Sequence, residues 1–403
     1  MERMDLSVDP DDGVIRKQIL DALLDYSKTE YLTVGRKKRL NEKLFASIRG
    51  LDLLEALLED DSVTEIMVNG ADQIFVERQG KLARYEDSFS SEERLLQVIQ
   101  KIVSKVNRRV NDASPIADAR LPDGSRVCVV LPPVSLEGPV LSIRKFPKKR
   151  FAMDDMVQIG SITEEAAEFL KKLVLARYNI FISGGTGTGK TTFLNALSGF
   201  IPEDERIITI EDSAELQLQN IKNLIRLEVR QANTEGENAV TMRQLIRASL
   251  RLRPDRIVVG EVRGEEAVEM IMAMSTGHDG SLSTGHGNSS RDMMLRLETM
   301  LLMGMDMPLA AIRSQIAAGI DILVHLGRLM DKSRKVLEIS EIQGIQDGQI
   351  RVVPLYLFRE KSRDPATGRI IGSLERTGEQ LKNRQKWKDA GFAEEELMSV
   401  SEV

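Results

Sequence analysis

Soft metal ligands are scarce in this chain: 403 residues carry one cysteine, Cys128, and three histidines. A lone thiol excludes an intrachain disulfide, suits a reducing compartment and cannot build a thiolate zinc site. Aromatic residues make up 4% of the chain, the formal net charge is −6 and the pI is near 5.5. Grooves for single-stranded nucleic acid are basic and lined with stacking rings, so both values count against a nucleic-acid translocase. No run approaches the roughly eighteen apolar residues needed to cross a bilayer. The opening MERMDLSVDPDDG is acidic and lacks the apolar stretch of a signal peptide. The expectation is a cytoplasmic protein, attached to a membrane only through partners.

What is present is an ordinary globular balance, 42% apolar and 29% charged, in a chain long enough for two or three domains. Basic residues cluster in GRKKR (35–39), in IRKFPKKR (143–150) and from Arg359 to Lys388, where nine basic residues face four acidic ones. Such runs read as solvated or interface surface, with anionic lipid or a partner protein as the other reading.

Periodicity divides the chain. Residues 1–58 form a helical N-terminal extension, carried by VIRKQILDALLDYSK and KKRLNEKLFASIRGLDLLEALLED. Residues 59–148 form a small α/β domain: VTEIMVNG, QIFVERQGKLARY, RVCVVLPP and PVLSIRKF read as strands around the helix EERLLQVIQKIVSKVNRR. Turns are expected at Gln79-Gly80 and Pro122-Asp123-Gly124. Residues 149–162, within the polar stretch FPKKRFAMDDMVQIGSIT, read as a linker. From 163 to 403, strands alternate with helices, which argues for a mostly parallel, helix-covered sheet. Two last strands, KVLEISEIQGI and QIRVVPLYLF, close that domain.

Ser183 to Thr192 reads SGGTGTGKTT, between the apolar YNIFI and the helical TFLNALSGF. This is G-x-x-x-x-G-K-[ST] in its required context of strand, loop and helix. Glycines let successive N–H groups line a concavity for phosphate oxygens, and the following helix adds its positive end. Lys190 reaches the β/γ-phosphates and the Thr191 hydroxyl holds Mg²⁺ in such a loop. Downstream, RIITIEDSAEL places Glu211 and Asp212 just past a strand, and RIVVGEVRGEEA does the same for Glu261. Strand ends of an α/β sheet open onto the ligand crevice, so these carboxylates suit water activation and the metal shell. Helix capping is the plain alternative for Asp212 and its neighbours.

Two of the three histidines, His278 and His286, fall within TGHDGSLSTGHGNS (276–289). Eight residues apart on a strand they would lie about 26 Å from each other, so they cannot chelate one metal there. For His278 a turn role and a functional one stand about level, His286 is read as a phosphate sensor, and His325 as a strand residue without a chemical task.

In order, GGTGTGKTT, ITIEDSAELQL, LRLRPDRIVVGEVRGEEA and TGHDGSLSTGHGNS resemble the Walker A, Asp-box, Walker B and His-box motifs of the type II/type IV secretion ATPase superfamily. ARLPDGSRV, SIRKF, RPDRIVVGEVRG and AMSTGHDGS look most like its Tad/Flp (type IVc) pilus-assembly, CpaF-like branch. The likeness is dense over about residues 60 to 360. It implies a RecA-like P-loop NTPase core preceded by a small α/β (PAS-like) domain and a short helical extension. It also implies a homo-hexameric Mg·ATP-dependent motor, held at the inner membrane by a platform protein and assembling pilin-like subunits. Residue by residue, it assigns Gly184, Gly185, Thr186, Gly187, Thr188, Gly189, Lys190, Thr191 and Thr192 to nucleotide binding. Thr191 and Glu261 are assigned to Mg²⁺, Glu211 to the water-positioning base, Arg126 and Arg144 to phosphate clasping from the N-terminal domain, and His286 to the γ-phosphate. Where the family usually has Leu and Ala around that histidine, this chain has Gly285 and Gly287, which predicts a loosened histidine. The alternatives are the ATPase of a conjugation-type type IV secretion system, an archaeal filament motor, a RecA-like nucleic-acid translocase and a non-hydrolysing nucleotide-gated scaffold. Both Glu211 and Glu261 argue against the last.

Overall fold

Alternating apolar residues from Val63 onward set up the first of two sheets in the computed structural model. The structure describes residues 11–78, 80–104, 110–146, 151–218, 220–230, 232, 237–394 and 397. Gln79 of the expected turn, 105–109 of the expected helix, 147–150 of the second basic cluster and the acidic opening through residue 10 lie outside them. The chain divides into two units, Met1–Lys148 and Lys149–Val403.

In the first unit, helices α1 (Asp12–Tyr26), α2 (Val34–Arg49) and α3 (Leu53–Glu59) precede strands β1 (Val63–Asn69), β2 (Gln73–Arg78) and β3 (Lys81–Arg84). Helix α4 (Glu92–Ser104) and strands β4 (Ile116–Arg120), β5 (Arg126–Val130) and β6 (Val140–Arg144) follow. The strands form an antiparallel sheet in the order β3-β2-β1-β6-β5-β4. Alternation puts Ile66, Val68, Ile74 and Val76 on one face, where they pack with Leu95, Val98, Ile99 and Ile102 of α4 in a single core. Strand β4 escaped the sequence reading because IADAR is short and lies half open at an edge. Thr33 caps α2 by accepting from the Arg36 N–H at 3.2 Å, and Ile15, Ile19 and Leu23 of α1 pack separately against Leu40 and Phe45 of α2.

The second unit holds helices α5 (Met153–Gln158), α6 (Glu164–Leu175), α7 (Lys190–Ser198), α8 (Met242–Ser249), α9 (Ala267–Ser275), α10 (Ser290–Gly304), α11 (Leu309–Gly319) and α12 (Gln385–Asp389). Its strands are β7 (Ile180–Gly184), β8 (Arg206–Glu211), β9 (Asn223–Glu228), β10 (Arg256–Val262) and β11 (Leu282–His286). The set continues with β12 (Ile322–Arg328), β13 (Arg334–Gln346), β14 (Gln349–Arg363) and β15 (Ile370–Arg376). The sheet order is β15-β14-β13-β12-β7-β11-β10-β8-β9. From β12 to β9 all pairs are parallel, and β12 through β15 form an antiparallel meander. Both faces of the parallel part are buried: Ile180 and Ile182 join the core that includes α6 and α7, Phe181 the core of α9, α10 and α11. This is a RecA-like arrangement.

Two expectations change. The linker region contains α5, whose six residues are too few to show a period. Met153 and Met156 anchor it in the core, and the Asp155 carboxylate accepts from the Ala152 N–H at 2.9 Å. The basic C-terminal stretch is not a solvated surface throughout: Trp387 is fully buried beside Phe169 and Phe392, and Lys386 lies 2.6 Å from Asp279 and 2.7 Å from Asp321.

Candidate active site

Because β7, β8, β10 and β11 run parallel, their carboxyl ends and following loops share one edge of the sheet. The register sets the neighbours: His286 pairs with Gly184, Gly285 with Val262, and Val259 with Ile210. The phosphate loop, Glu211, Glu261 and His286 therefore converge.

The loop itself requires its glycines. Gly187 and Gly189 have φ of 72° and 95°, in the left-handed region. A side chain on Gly184 would bring its Cβ to 2.7 Å from the Leu326 carbonyl oxygen. Helix α7 starts at Lys190 with Gly189 as N-cap and no side-chain cap, so its first N–H groups remain available to an anion. Lys190 Nζ donates to the carbonyls of Gly184 (3.1 Å) and Gly185 (3.2 Å). It also lies 3.2 Å from His286 Nδ1 and 3.7 Å from Glu261 Oε1. An ammonium only donates, so Nδ1 accepts and the proton of the neutral ring sits on Nε2, which lies 2.9 Å from Glu261 Oε1, a buried oxygen that accepts no hydrogen bond among the described residues. Burial holds His286 below its ordinary pKa, against the raising effect of Glu261, and burial likewise lowers Lys190.

Arg263 was missed in the sequence reading. Its guanidinium clasps Glu261 Oε2 through Nη2 at 2.6 Å and Nε at 2.8 Å, and it lies 3.9 Å from Asp212. The signal was a cation two residues past an acidic strand end in GEVRG.

Glu211 is 3% exposed. Its Oε2 accepts from the N–H groups of Glu215 (2.7 Å) and Leu216 (2.8 Å), whereas buried Oε1 has no partner among the described residues. Burial pushes this carboxyl up to about 7, in spite of the two N–H donors. A carboxyl with a free oxygen and a pKa near neutrality suits proton exchange with a water molecule. These features fit a Mg·nucleotide: a glycine-shaped cradle, an uncapped helix start, one cation and a carboxylate with unused acceptor capacity. Among the described residues, no group of three or more His, Cys, Asp or Glu is arranged to hold a metal by itself.

Three histidine expectations are revised or sharpened. His286 stands at the phosphate-loop end of β11 and His278 lies before its other end. His286 ends β11 beside Gly184, while Leu282 begins it beside Ile180, about 13 Å away along the strand. His278 precedes that far end, where its carbonyl accepts from Ser281 Oγ at 2.7 Å. His325 does have a contact, with Nδ1 3.2 Å from Ser183 Oγ at the root of the phosphate loop. The flanking glycines do not loosen His286. A Cβ on Gly285 would meet Phe181 and Met293 at 3.0 Å, and one on Gly287 would meet Ser183 Oγ at 2.9 Å. They are there because the segment is packed closely between β7 and α10.

Arg126 and Arg144, in the first unit, are direct cross-strand partners of β5 and β6, so they share a face of that sheet. Arg126 is half-buried and Arg144 exposed.

Residues 48–370 match the family model described as type II/IV secretion system protein. The conjugal transfer protein TrbB of Rhizobium radiobacter is 33% identical over 313 residues, 77% of this chain and 92% of the relative. The type IV secretion system protein VirB11 of Brucella suis is 33% identical over 303 residues, 68% of this chain and 84% of the relative. The solved pilus retraction motor PilT with bound ADP shares the fold at 18% identity, with a TM-score of 0.54 over 84% of this chain and 87% of that one. Motif, site geometry and family match agree: the chain belongs to the type II/IV secretion system protein family and is a P-loop ATP hydrolase.

Proposed function

We propose that the chain is a Mg-dependent motor ATPase of a conjugation-type type IV secretion machine. The observation that carries the chemistry is the cluster at the carboxyl edge of the parallel sheet: Lys190, Glu261 and His286 in mutual contact, with buried Glu211 beside them. Lys190 and the loop N–H groups bind and orient the phosphates. Glu211 Oε1 positions the attacking water and takes up its proton. Thr191 and Glu261 would hold Mg²⁺, whose charge offsets that of the phosphates. His286 answers to the terminal phosphate, because any group that draws Lys190 or Glu261 toward the nucleotide competes with its own two contacts. Arg126 and Arg144 are assigned to the hydrolytic cycle by resemblance, and loss of turnover in Arg126→Ala or Arg144→Ala with unchanged stability tests that role.

Relatives named for conjugal transfer and type IV secretion support this machine over the Tad/Flp pilus expected from local phrases. A homo-hexamer at the inner membrane, joined to a platform protein, is the assembly that suits such a motor. Among the described residues no helix is long and apolar enough to cross a membrane. The test is deletion in the host, complemented with wild type or Lys190→Ala. Loss of substrate transfer with surface filaments intact supports the proposal. Loss of filaments alone would return the assignment to pilus assembly.

A further inference from the structure

Around the carboxyl-terminal half of α2 and along α4 the cations are engaged. Lys43 donates to Asp87 (2.8 Å), Arg49 lies 3.1 Å from Asp12, Arg94 binds Asp52 (2.6 Å), and Lys101 donates to the Gly50 carbonyl (3.0 Å). These contacts fix the carboxyl-terminal half of α2. The opposite end of the α1–α2 hairpin differs. Arg36, Lys37, Lys38 and Arg39 stand in succession there, and among the described residues none has a side-chain ion-pair partner. No acid occupies the first turn of α2 to offset them. Beside them, Tyr31 is 88% and Val34 86% exposed. Of the nearby acids, Asp25 is taken by Lys28 at 2.9 Å, which leaves Glu30 and Glu42 against four cations.

We infer that this hairpin tip, residues 31–39, is a docking surface for an anionic lipid bilayer, with Tyr31 and Val34 at headgroup level and the four cations on lipid phosphates. A chain of net charge −6 is repelled by an anionic surface as a whole, so attraction must come from a local patch within a Debye length of it. Two exposed apolar side chains are too few for the roughly 800 Å² per partner of a stable protein interface. A bilayer requires no matching shape, only apolar side chains framed by cations. One tyrosine offers no stacking platform for a nucleic acid. The inference does not depend on which machine the motor serves.

Flotation of the full chain with phosphatidylcholine vesicles, with and without phosphatidylglycerol, tests it. The wild type is expected to float with the anionic vesicles only, and less so as salt rises. Replacing Arg36, Lys37, Lys38 and Arg39 by Gln lowers partitioning by at least about tenfold. Tyr31→Ser with Val34→Ser lowers it at every salt concentration, and both variants keep wild-type phosphate release without vesicles. Wild type that stays with the unbound fraction, or a four-fold Gln variant that floats equally, overturns the inference. Partitioning unaffected by the Ser pair overturns the insertion. Heparin retention without flotation assigns the patch to another polyanion and overturns the lipid partner.

Discussion

The two ends of β11 use the same kinds of side chain to opposite effect. At the amino end, Asn179 and Arg256 have their polar groups matched, although His278 Nδ1 and Arg177 Nε are buried without a hydrogen-bond partner among the described residues. Asn179 donates to the carbonyls of Met274 and Gly319 and accepts from the N–H groups of Gly280 and Ser281, all within 3.1 Å. Fully buried Arg256 binds Glu205 through Nε and Nη2 at 2.5 and 2.8 Å. At the carboxyl end, Lys190, Glu261 and His286 compete for one another and Glu211 keeps a buried oxygen free. Satisfied bonds fasten; unsatisfied capacity can be spent on a substrate. One strand thus separates stability from chemistry.

The comparison breaks most sharply at the carboxyl end. Glu261→Gln and Glu211→Gln should each retain nucleotide but lower the rate of phosphate release by about 10²-fold or more, whereas Lys190→Ala loses nucleotide affinity as well. Fluorescent-nucleotide titration beside phosphate release separates the two patterns. Wild-type turnover in Glu211→Gln would remove it from the proton-accepting role.

Asn179→Ala should do the reverse. It strands two carbonyls and two N–H groups and should cost about 2–4 kcal/mol, with turnover per folded molecule unchanged. Urea unfolding and a rate measured on the folded fraction check both halves.

Proton uptake sharpens the contrast. With Glu211 titrating near 7, turnover should rise with pH through that value, as the ionised base forms. Stability runs the other way. A folded pKa above the ordinary 4.5 gives a contribution fully present below 4.5 and lost as pH rises through 7. Glu211→Gln should flatten that loss, and thermal midpoints from pH 5 to 8 would show it.

Smaller effects belong to the histidines. His286→Ala should lower turnover by about tenfold with affinity almost unchanged, and Gly287→Ala should act similarly by displacing the same segment, while His278→Ala changes turnover little. Equal losses in His278→Ala and His286→Ala would erase the distinction between the two ends.

Much of this was legible in the residues. The phosphate loop shows because glycine, lysine and threonine spacing is a local requirement, and β7, β8, β10 and β12 show because buried parallel strands are continuous apolar runs. Strands β9 and β15 did not show: NLIRLE alternates weakly at an edge, and IIGSLER is interrupted by glycine. Gly285 and Gly287 were misjudged because a glycine needed for close packing and one that frees the backbone look alike in sequence. Asn179 matters through partners about a hundred residues along the chain, which no local pattern discloses, whereas Arg263 stands two residues from the Glu261 it clasps and was open to a local reading.

Trp387, packed against Phe169 and Phe392 with its indole N–H donating to the Ala393 carbonyl at 3.0 Å, is the sole tryptophan of the chain. Its emission is therefore a spectroscopic label that nature has placed in one unit only. A red shift in denaturant reports the loosening of the C-terminal stretch from the ATPase core, while circular dichroism averages over both units. Curves that fail to superimpose would resolve the melting of the two bodies without attaching any dye.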